Sequence, residues 1–177
     1  MEIKNKETLL EALQQANQKA GGWFSAIPAA EFFTRQADAW SASDNVDHLI
    51  KAVKPITLAL KMPRLALQGM FGKAERPSKT YTEICIAYED EIAKGAQASG
   101  RFLPDQETPK HPEEQKKQLL DGFSKVGEAL LSALEKWGDA ELDQYLLPHP
   151  ILGKLTMREM LFFTVYHNLR HARIEGD

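Results

Sequence analysis

The sequence contains a single cysteine, Cys85, so no disulfide bond can form within the chain. This cysteine usage excludes a disulfide-stapled extracellular scaffold and favours the reducing cytoplasm, which we expect to be the location. Cys85 lies between Ile84 and Ile86, a setting typical of a small buried hydrophobic residue rather than of a nucleophile.

Long apolar runs and an excess of basic residues are also missing. No apolar run approaches the roughly 20 residues that span a bilayer, and the opening MEIKNKETLL lacks the basic-then-apolar layout of a secretory signal. The formal net charge of −3 gives no electrostatic footprint for nucleic acid or for an anionic membrane. We therefore expect neither a nucleic acid nor a membrane as partner.

The 177 residues suit one domain, residues 1–177, with a sizeable core. Apolar residues recur at helical spacing in four long stretches, whereas no strand signal stands out. These patterns predict an all-α four-helix bundle. The predicted long helices cover residues 6–27, 41–60, 112–137 and 156–174, and an additional short helix covers residues 81–94 in the long connection between the second and third.

Several local signals set the expected limits of these elements. Ser41 with Asp44, and Thr156 with Glu159, have the spacing of a capping box at a helix start. Pro55 predicts a bend in the second helix. The segment PRLALQGMFGKAERPSK, residues 63–79, is rich in proline and glycine and is predicted to be mostly loop. The long connection that contains it either covers the bundle end or forms a lid or pocket wall.

The last predicted helix carries the strongest chemical signal, a pair of histidines four residues apart. His167 and His171 lie on one helix face, one turn from each other, and two imidazoles so placed can bind one divalent metal ion. The alternatives are two hydrogen-bonded core residues or a solvated flank. Asn168 stands where the H-E-x-x-H pattern of zinc peptidases has its catalytic glutamate, so the pair offers no adjacent general base.

Three further histidines are less clearly placed by the sequence. His48 falls at the edge of the apolar face of the second helix, a position typical of a surface or boundary residue. His149 lies between Pro148 and Pro150 in a rigid turn, where it either approaches the histidine pair or caps a helix end, and we favour a structural role. His111 has no identifiable partner.

Three segments of the chain resemble the DinB-like superfamily, also described as damage-inducible or YfiT-like metalloenzymes. WSASDNVDHLIKAVKPI (residues 40–56) is similar to the family's second-helix segment. LPHPILGKLTMREMLFFTVYHNLRHARIE (residues 147–175) is similar to its fourth-helix segment, and AERPSKTYTEICIAYEDEIAKGAQASGRFLPDQ (residues 74–106) to the linking region of one branch. These segments lie between residues 40 and 175, so the resemblance spans most of the chain.

The resemblance implies a four-helix bundle with a three-histidine metal site formed by His48, His167 and His171. Imidazole ligands suit zinc, nickel, iron or copper, and three protein ligands leave positions open for water or substrate. The resemblance further implies a metal-dependent hydrolase or thiol S-transferase, in which the metal activates a water or a low-molecular-weight thiol for an unknown small-molecule substrate. The alternative is a non-catalytic metal-binding or structural bundle. Relatives that pair through helix faces also suggest a homodimer.

Overall fold

Helices make up most of the chain. The computed structural model describes residues 2–37, 39–106 and 108–174. Within those ranges it contains seven α-helices, two short strands and two 3-10 turns, at Gly100–Phe102 and Asp139–Asp143. In chain order the helices and strands are α1 (Lys6–Ala26), α2 (Ala29–Phe32), α3 (Ala42–Lys61), α4 (Arg64–Phe71), α5 (Tyr81–Ala93), α6 (Pro112–Leu134), β1 (Leu146–His149), β2 (Gly153–Thr156) and α7 (Met157–His171).

The four longest helices enclose the main core. Helix α1 packs against α6 and α7, and α3 packs against the same two helices, so that the four form a closed ring of contacts. Their inward faces are fully buried at Leu13 on α1, Leu49 on α3, Leu130 on α6 and Leu161 on α7. The predicted all-α fold is therefore confirmed. No helix in the described ranges is long and apolar enough to cross a bilayer.

The predicted helix starts are confirmed in atomic detail. The Ser41 hydroxyl accepts a hydrogen bond from the Asp44 backbone N–H at 3.1 Å, and the Asp44 carboxylate accepts one from the Ser41 N–H at 3.0 Å. Thr156 and Glu159 form the same reciprocal pair at the start of α7. Because each cap satisfies N–H groups that have no partner within the helix, both helices begin at a defined residue.

One predicted loop is wrong. Residues 64–71 of the segment expected to be mostly loop form helix α4, which begins directly after Pro63. Proline is compatible with a helix start because its missing N–H would be unpaired there. Leu67 is fully buried on the core side, whereas Gly69 is exposed. Burial of a leucine side chain outweighs the cost of about 1 kcal/mol for one helical glycine. Gly72, with φ of 90°, ends the helix.

The structure also contains two short strands that no signal in the sequence indicated. Strands β1 and β2 form an antiparallel hairpin, with Leu146 opposite Thr156 and His149 opposite Gly153. Each strand has only four residues, too few for the alternation of buried and exposed side chains to stand out in the sequence. The hairpin runs directly into α7, because Thr156 both ends β2 and caps the helix. It therefore fixes where α7 begins.

Candidate metal centre

Three histidines from two helices meet at one point inside the protein. The Nε2 atom of His167 lies 3.1 Å from Nε2 of His48 and 3.1 Å from Nε2 of His171. Helix α3 supplies His48, and α7 supplies the other two, one turn apart. His48 and His167 are only 5% and 4% exposed, and His171 is half-buried. His48 is thus a buried residue, contrary to the position that its helical face alone suggested.

The outer nitrogens of two of these rings fix their tautomers. Nδ1 of His48 lies 2.7 Å from the Phe102 carbonyl oxygen, which can only accept, so Nδ1 carries the proton. Nδ1 of His171 lies 2.6 Å from Oδ1 of Asn45. The amide of Asn45 is oriented by its Nδ2, which donates to the Ser41 carbonyl at 2.7 Å, so its oxygen faces the ring. Both histidines therefore turn an unprotonated Nε2 inward when they are neutral.

The inward-facing lone pairs leave the cluster short of donors. A proton on Nε2 of His167 could serve only one of its two neighbours, and without that proton three lone pairs converge. A divalent cation would satisfy all three at once. Tetrahedral zinc with bonds of about 2.0–2.1 Å sets its ligand nitrogens about 3.3 Å apart, close to the 3.1 Å between Nε2 of His167 and each of the other two Nε2 atoms. All three ligand atoms lie within 4.8 Å of one another, so the donor set fits a transition-metal ion.

Burial keeps the three imidazoles in the form that a metal needs. Desolvation lowers the pKa of His48 and lowers the pKa of His171 to about 3. The pKa of His167 falls well below its usual value because the ring is buried and because the other two histidines lie beside it. A buried imidazole resists taking up charge, so all three are neutral near pH 7. Neutral imidazoles are the metal-binding form.

Aromatic rings hold the histidines in place. The Trp40 indole packs 4.9 Å from the His48 ring and stacks on the His171 ring at 6.1 Å and 20°. Phe163 stacks on His167 at 4.7 Å and 28°. These contacts restrict rotation of each imidazole, so the three Nε2 atoms are preorganised rather than gathered by a ligand.

A cavity of about 320 Å³ opens onto the cluster, and both His48 and His167 line it. Its volume lies at the lower end of the range of small-molecule sites. The wall is mostly apolar, and within the described residues it contains no carboxylate. Its side chains come from α3, α4, α5, the 3-10 turn at Gly100–Phe102, the hairpin and α7, and include Ile56, Phe71, Tyr88, Leu147 and Met160.

His149 also lines this cavity but has a different role. Its Nδ1 accepts hydrogen bonds from the backbone N–H groups of Ile151 and Leu152, at 3.2 and 3.0 Å. Its ring packs edge-on against Phe163 at 4.3 Å, and burial lowers its pKa to about 4. His149 therefore has a structural role, because it accepts hydrogen bonds from the hairpin turn. It also lies beside the cavity that opens onto the histidine cluster.

The remaining sequence candidates lie outside the cluster. His111 is exposed just before α6. Cys85 is only half-buried, so it is less enclosed than predicted, and burial raises the pKa of its thiol, which disfavours a nucleophilic thiolate. Asn168 is fully buried and donates from Nδ2 to Oδ1 of Asn17 at 2.6 Å. It therefore joins α7 to α1 and takes no part in the cavity.

Sequence reasoning missed the residues that orient the clustered histidines. Asn45 precedes His48 by three residues on the same helical face, a spacing that could have drawn attention to it. Phe102 acts through its backbone carbonyl, for which a sequence carries no signal. In the sequence, Trp40 has no signal of its own beyond its place in the family segment, although its ring contacts two of the three histidines.

Comparison with known proteins places the chain in a family. Searches of curated proteins and of solved structures found no match. A family model of the DinB superfamily matches residues 12–174, a span that includes all three clustered histidines, the hairpin, α3, α6, α7 and most of α1. Because the match extends over nearly the whole sequence, the protein belongs to the DinB superfamily.

Proposed function

We propose that this protein is a metal-dependent enzyme built on a four-helix bundle, in which His48, His167 and His171 hold one divalent metal ion. The ion would activate a water or a low-molecular-weight thiol, as in a hydrolase or a thiol S-transferase. One observation carries the proposal: three imidazole Nε2 atoms, two of them fixed as unprotonated acceptors, face one another beside a cavity. Membership of the DinB superfamily supports it.

Within this scheme the chain's own residues orient and shield the site. The Phe102 carbonyl and the Asn45 side chain hold His48 and His171 with their Nε2 lone pairs inward, which also raises the basicity of these two imidazoles. The apolar wall limits water, so charges that develop near the cluster are poorly screened. A metal bound there supplies a Lewis acid that lowers the pKa of a coordinated water or thiol.

The composition of the wall favours the thiol over the water. The described lining residues offer no carboxylate that could take a proton from a weakly acidic nucleophile. A thiol is more acidic than water, and a metal held by these histidines would lower its pKa further, so that solvent could take the proton without such a base. The position of His48 and His167 on the cavity wall also favours an open coordination position, which a purely structural metal does not need.

The first test measures metal content after expression and purification without an affinity-tag metal. Parent protein should retain about one divalent ion per chain by elemental analysis, and His48→Ala, His167→Ala and His171→Ala should each lose it. His111→Ala removes an exposed histidine outside the cluster and serves as the matched control, which should retain the ion. Circular dichroism checks that each variant remains helical. Equal retention in all five proteins would overturn the shared site.

A second measurement separates an enzyme from a passive metal site. Cobalt(II) can replace a tetrahedral metal, and a coordinated thiolate gives it a charge-transfer absorption. Adding a low-molecular-weight thiol to the cobalt-loaded parent should produce that band, whereas His171→Ala should not show it. Metal retention without any response to thiol would favour the water-activating or the non-catalytic reading. The choice among zinc, nickel and iron follows from the elemental analysis, since imidazole ligands suit all three.

Cytoplasmic location and pairing into a homodimer stay predictions. The single cysteine supports the first, and family resemblance alone supports the second. The net charge of −3 supports a small-molecule partner over a nucleic acid.

A further inference from the structure

The cavity beside the histidine cluster carries one fixed charge. Arg101, in the 3-10 turn at Gly100–Phe102, is the only lysine, arginine, aspartate or glutamate among the described residues of its wall. The histidines of the wall, His48, His149 and His167, are uncharged near pH 7 because burial lowers their pKa values. Among the described side chains of the wall, Arg101 is therefore the one that carries a charge and would favour an anionic ligand over a neutral one.

No carboxylate of the described part of the chain pairs with Arg101. Its one contact of note is with the ring of the next residue, Phe102, whose centroid lies 5.1 Å from the guanidinium carbon. By contrast, Arg64, Arg76 and Arg158 all form ion pairs with acidic side chains. Arg101 is exposed while it lines the cavity, which puts it at the opening. An unpaired guanidinium there can receive a carboxylate in a two-bond arrangement.

Hydrogen bonds join the segment that carries Arg101 to helix α3, which supplies His48. The neighbouring Phe102 carbonyl accepts from His48, and Lys51 Nζ donates to the Leu103 carbonyl at 2.9 Å. The Asp105 N–H donates to the Asp47 carboxylate at 2.8 Å. Helix α3 thus holds the residues that follow Arg101 at three points. The fold therefore fixes where the Arg101 backbone lies relative to the histidines.

The rest of the opening is apolar. Leu58 and Met70, which are 65% and 62% exposed, both line the cavity and lie at its rim. Exposed large apolar side chains beside a cavity are typical of a site that covers them with ligand. Among the described residues of the wall, the protein itself supplies one positive charge, which a single carboxylate matches and a doubly charged phosphate ester exceeds.

We propose that the cavity takes a small substrate with an apolar body and a single carboxylate, which Arg101 binds at the opening while the apolar part lies against the wall near His48 and His167. This inference rests on the proposed function, since it names the class of substrate for the same site. It assigns Arg101 a role in specificity rather than in metal binding.

The test compares two probes with the same eight-carbon body, octanoate and octanol. Isothermal titration is performed on chelator-treated protein, because a carboxylate could otherwise bind the metal instead of Arg101, and is repeated on the protein as prepared. The chelated parent should bind octanoate about tenfold more tightly than octanol, the effect of one charge-assisted pair. Arg101→Gln should bind both equally, and Arg101→Lys should keep part of the preference.

Lys136→Gln removes one positive charge from an exposed position outside the cavity and is the matched control, which should keep the full preference. Octanoate bound no better than octanol by the parent, or a preference that survives in Arg101→Gln, would overturn the inference. Failure of the proposed metal site gives a different result: metal content would be unaffected by the histidine substitutions while the Arg101-dependent preference remained.

Discussion

The two ends of helix α7 both bury polar side chains, but they do so in opposite ways. At its start, Arg158 is 8% exposed and pairs with Asp143 at 2.7 Å and with Asp139 at 3.0 Å. Glu159 is fully buried and accepts two hydrogen bonds from the Arg76 guanidinium. Among the nitrogen and oxygen atoms of the Arg158 and Glu159 side chains, only Nη1 of Arg158 lacks a partner. At this end of the helix, each buried charge is paired with a charge of opposite sign.

At the other end of α7, three side chains of the same type, all imidazoles, face one another. His167 and His171 face each other and His48 with three nitrogens of the same kind, and the fold fixes two of these as acceptors. A buried cluster whose members complement one another is complete and stabilises the fold. A cluster of converging acceptor lone pairs is not complete by itself and needs a proton or a cation from outside the protein. This lack of internal partners identifies the histidine cluster as the candidate site. The sequence alone shows polar residues at both ends of α7 and does not separate them.

The largest expected effect comes from breaking the complementary end. Glu159→Ala removes the carboxylate that pairs with Arg76 and leaves the backbone N–H groups of Thr156 and Lys79 without their acceptor. We therefore expect the free energy of unfolding to fall by about 3–5 kcal/mol. Urea unfolding followed by circular dichroism measures this. The matched control is Glu83→Ala, since Glu83 is the equivalent capping residue of α5 but is exposed.

Glu83→Ala should cause a clearly smaller loss because its carboxylate remains solvated. Equal losses in the two variants would show that burial of the Glu159 ion pair adds nothing beyond helix capping. Metal retention should survive Glu159→Ala at temperatures where the variant is folded, since this residue does not touch the histidines.

A smaller effect should follow from loosening the second cluster without removing a ligand. Asn45→Ala deletes the acceptor of the His171 Nδ1 proton, so the ring can turn or change tautomer. We expect metal affinity to fall about 10–100-fold, as is typical for such outer partners. Asn45→Asp retains an acceptor oxygen and should keep most of the affinity. Competition with a chromogenic chelator gives the constants; parent-like affinity in Asn45→Ala would contradict the tautomer argument.

The two ends of α7 should also differ in the pH at which their contribution to stability is lost. The pKa values of His48, His149, His167 and His171 are all lowered in the folded protein, so the unfolded chain binds more protons as pH falls below about 6.5. The stability that this difference contributes is complete above that pH and is lost towards the folded pKa values, at up to about 1.4 kcal/mol per pH unit for each histidine.

The carboxylate end responds only in stronger acid. Hydrogen bonds outweigh burial and lower the pKa of Glu159 and of Asp143, so their contribution persists until pH falls below the ordinary values of 4.5 and 3.8. In chelated protein, the urea midpoint should therefore already decline between about pH 6.5 and 5. His149→Asn should reduce that decline. A midpoint that stays constant over this interval would show that the histidines do not resist protonation.

The sequence by itself determined the helical framework. Apolar spacing gave the four long helices and α5, and the pairs Ser41–Asp44 and Thr156–Glu159 marked two helix starts, because spacing and capping act over three or four residues. The His167–His171 pair was readable for the same reason. Local rules failed at α4 and at the hairpin, where burial of Leu67 and Leu147 in the shared core outweighs weak local preferences.

Only the tertiary structure decided how the site is arranged. Helical periodicity put His48 at a boundary, and family resemblance alone grouped it with the other two, because residues 119 positions apart meet only through packing of α3 on α7. The proton on its Nδ1 depends on the backbone carbonyl of Phe102, 54 residues away. Any residue has such a carbonyl, so no side-chain pattern encodes it. The same distant segment brings Arg101 to the cavity mouth, a position that exists only once the chain has folded.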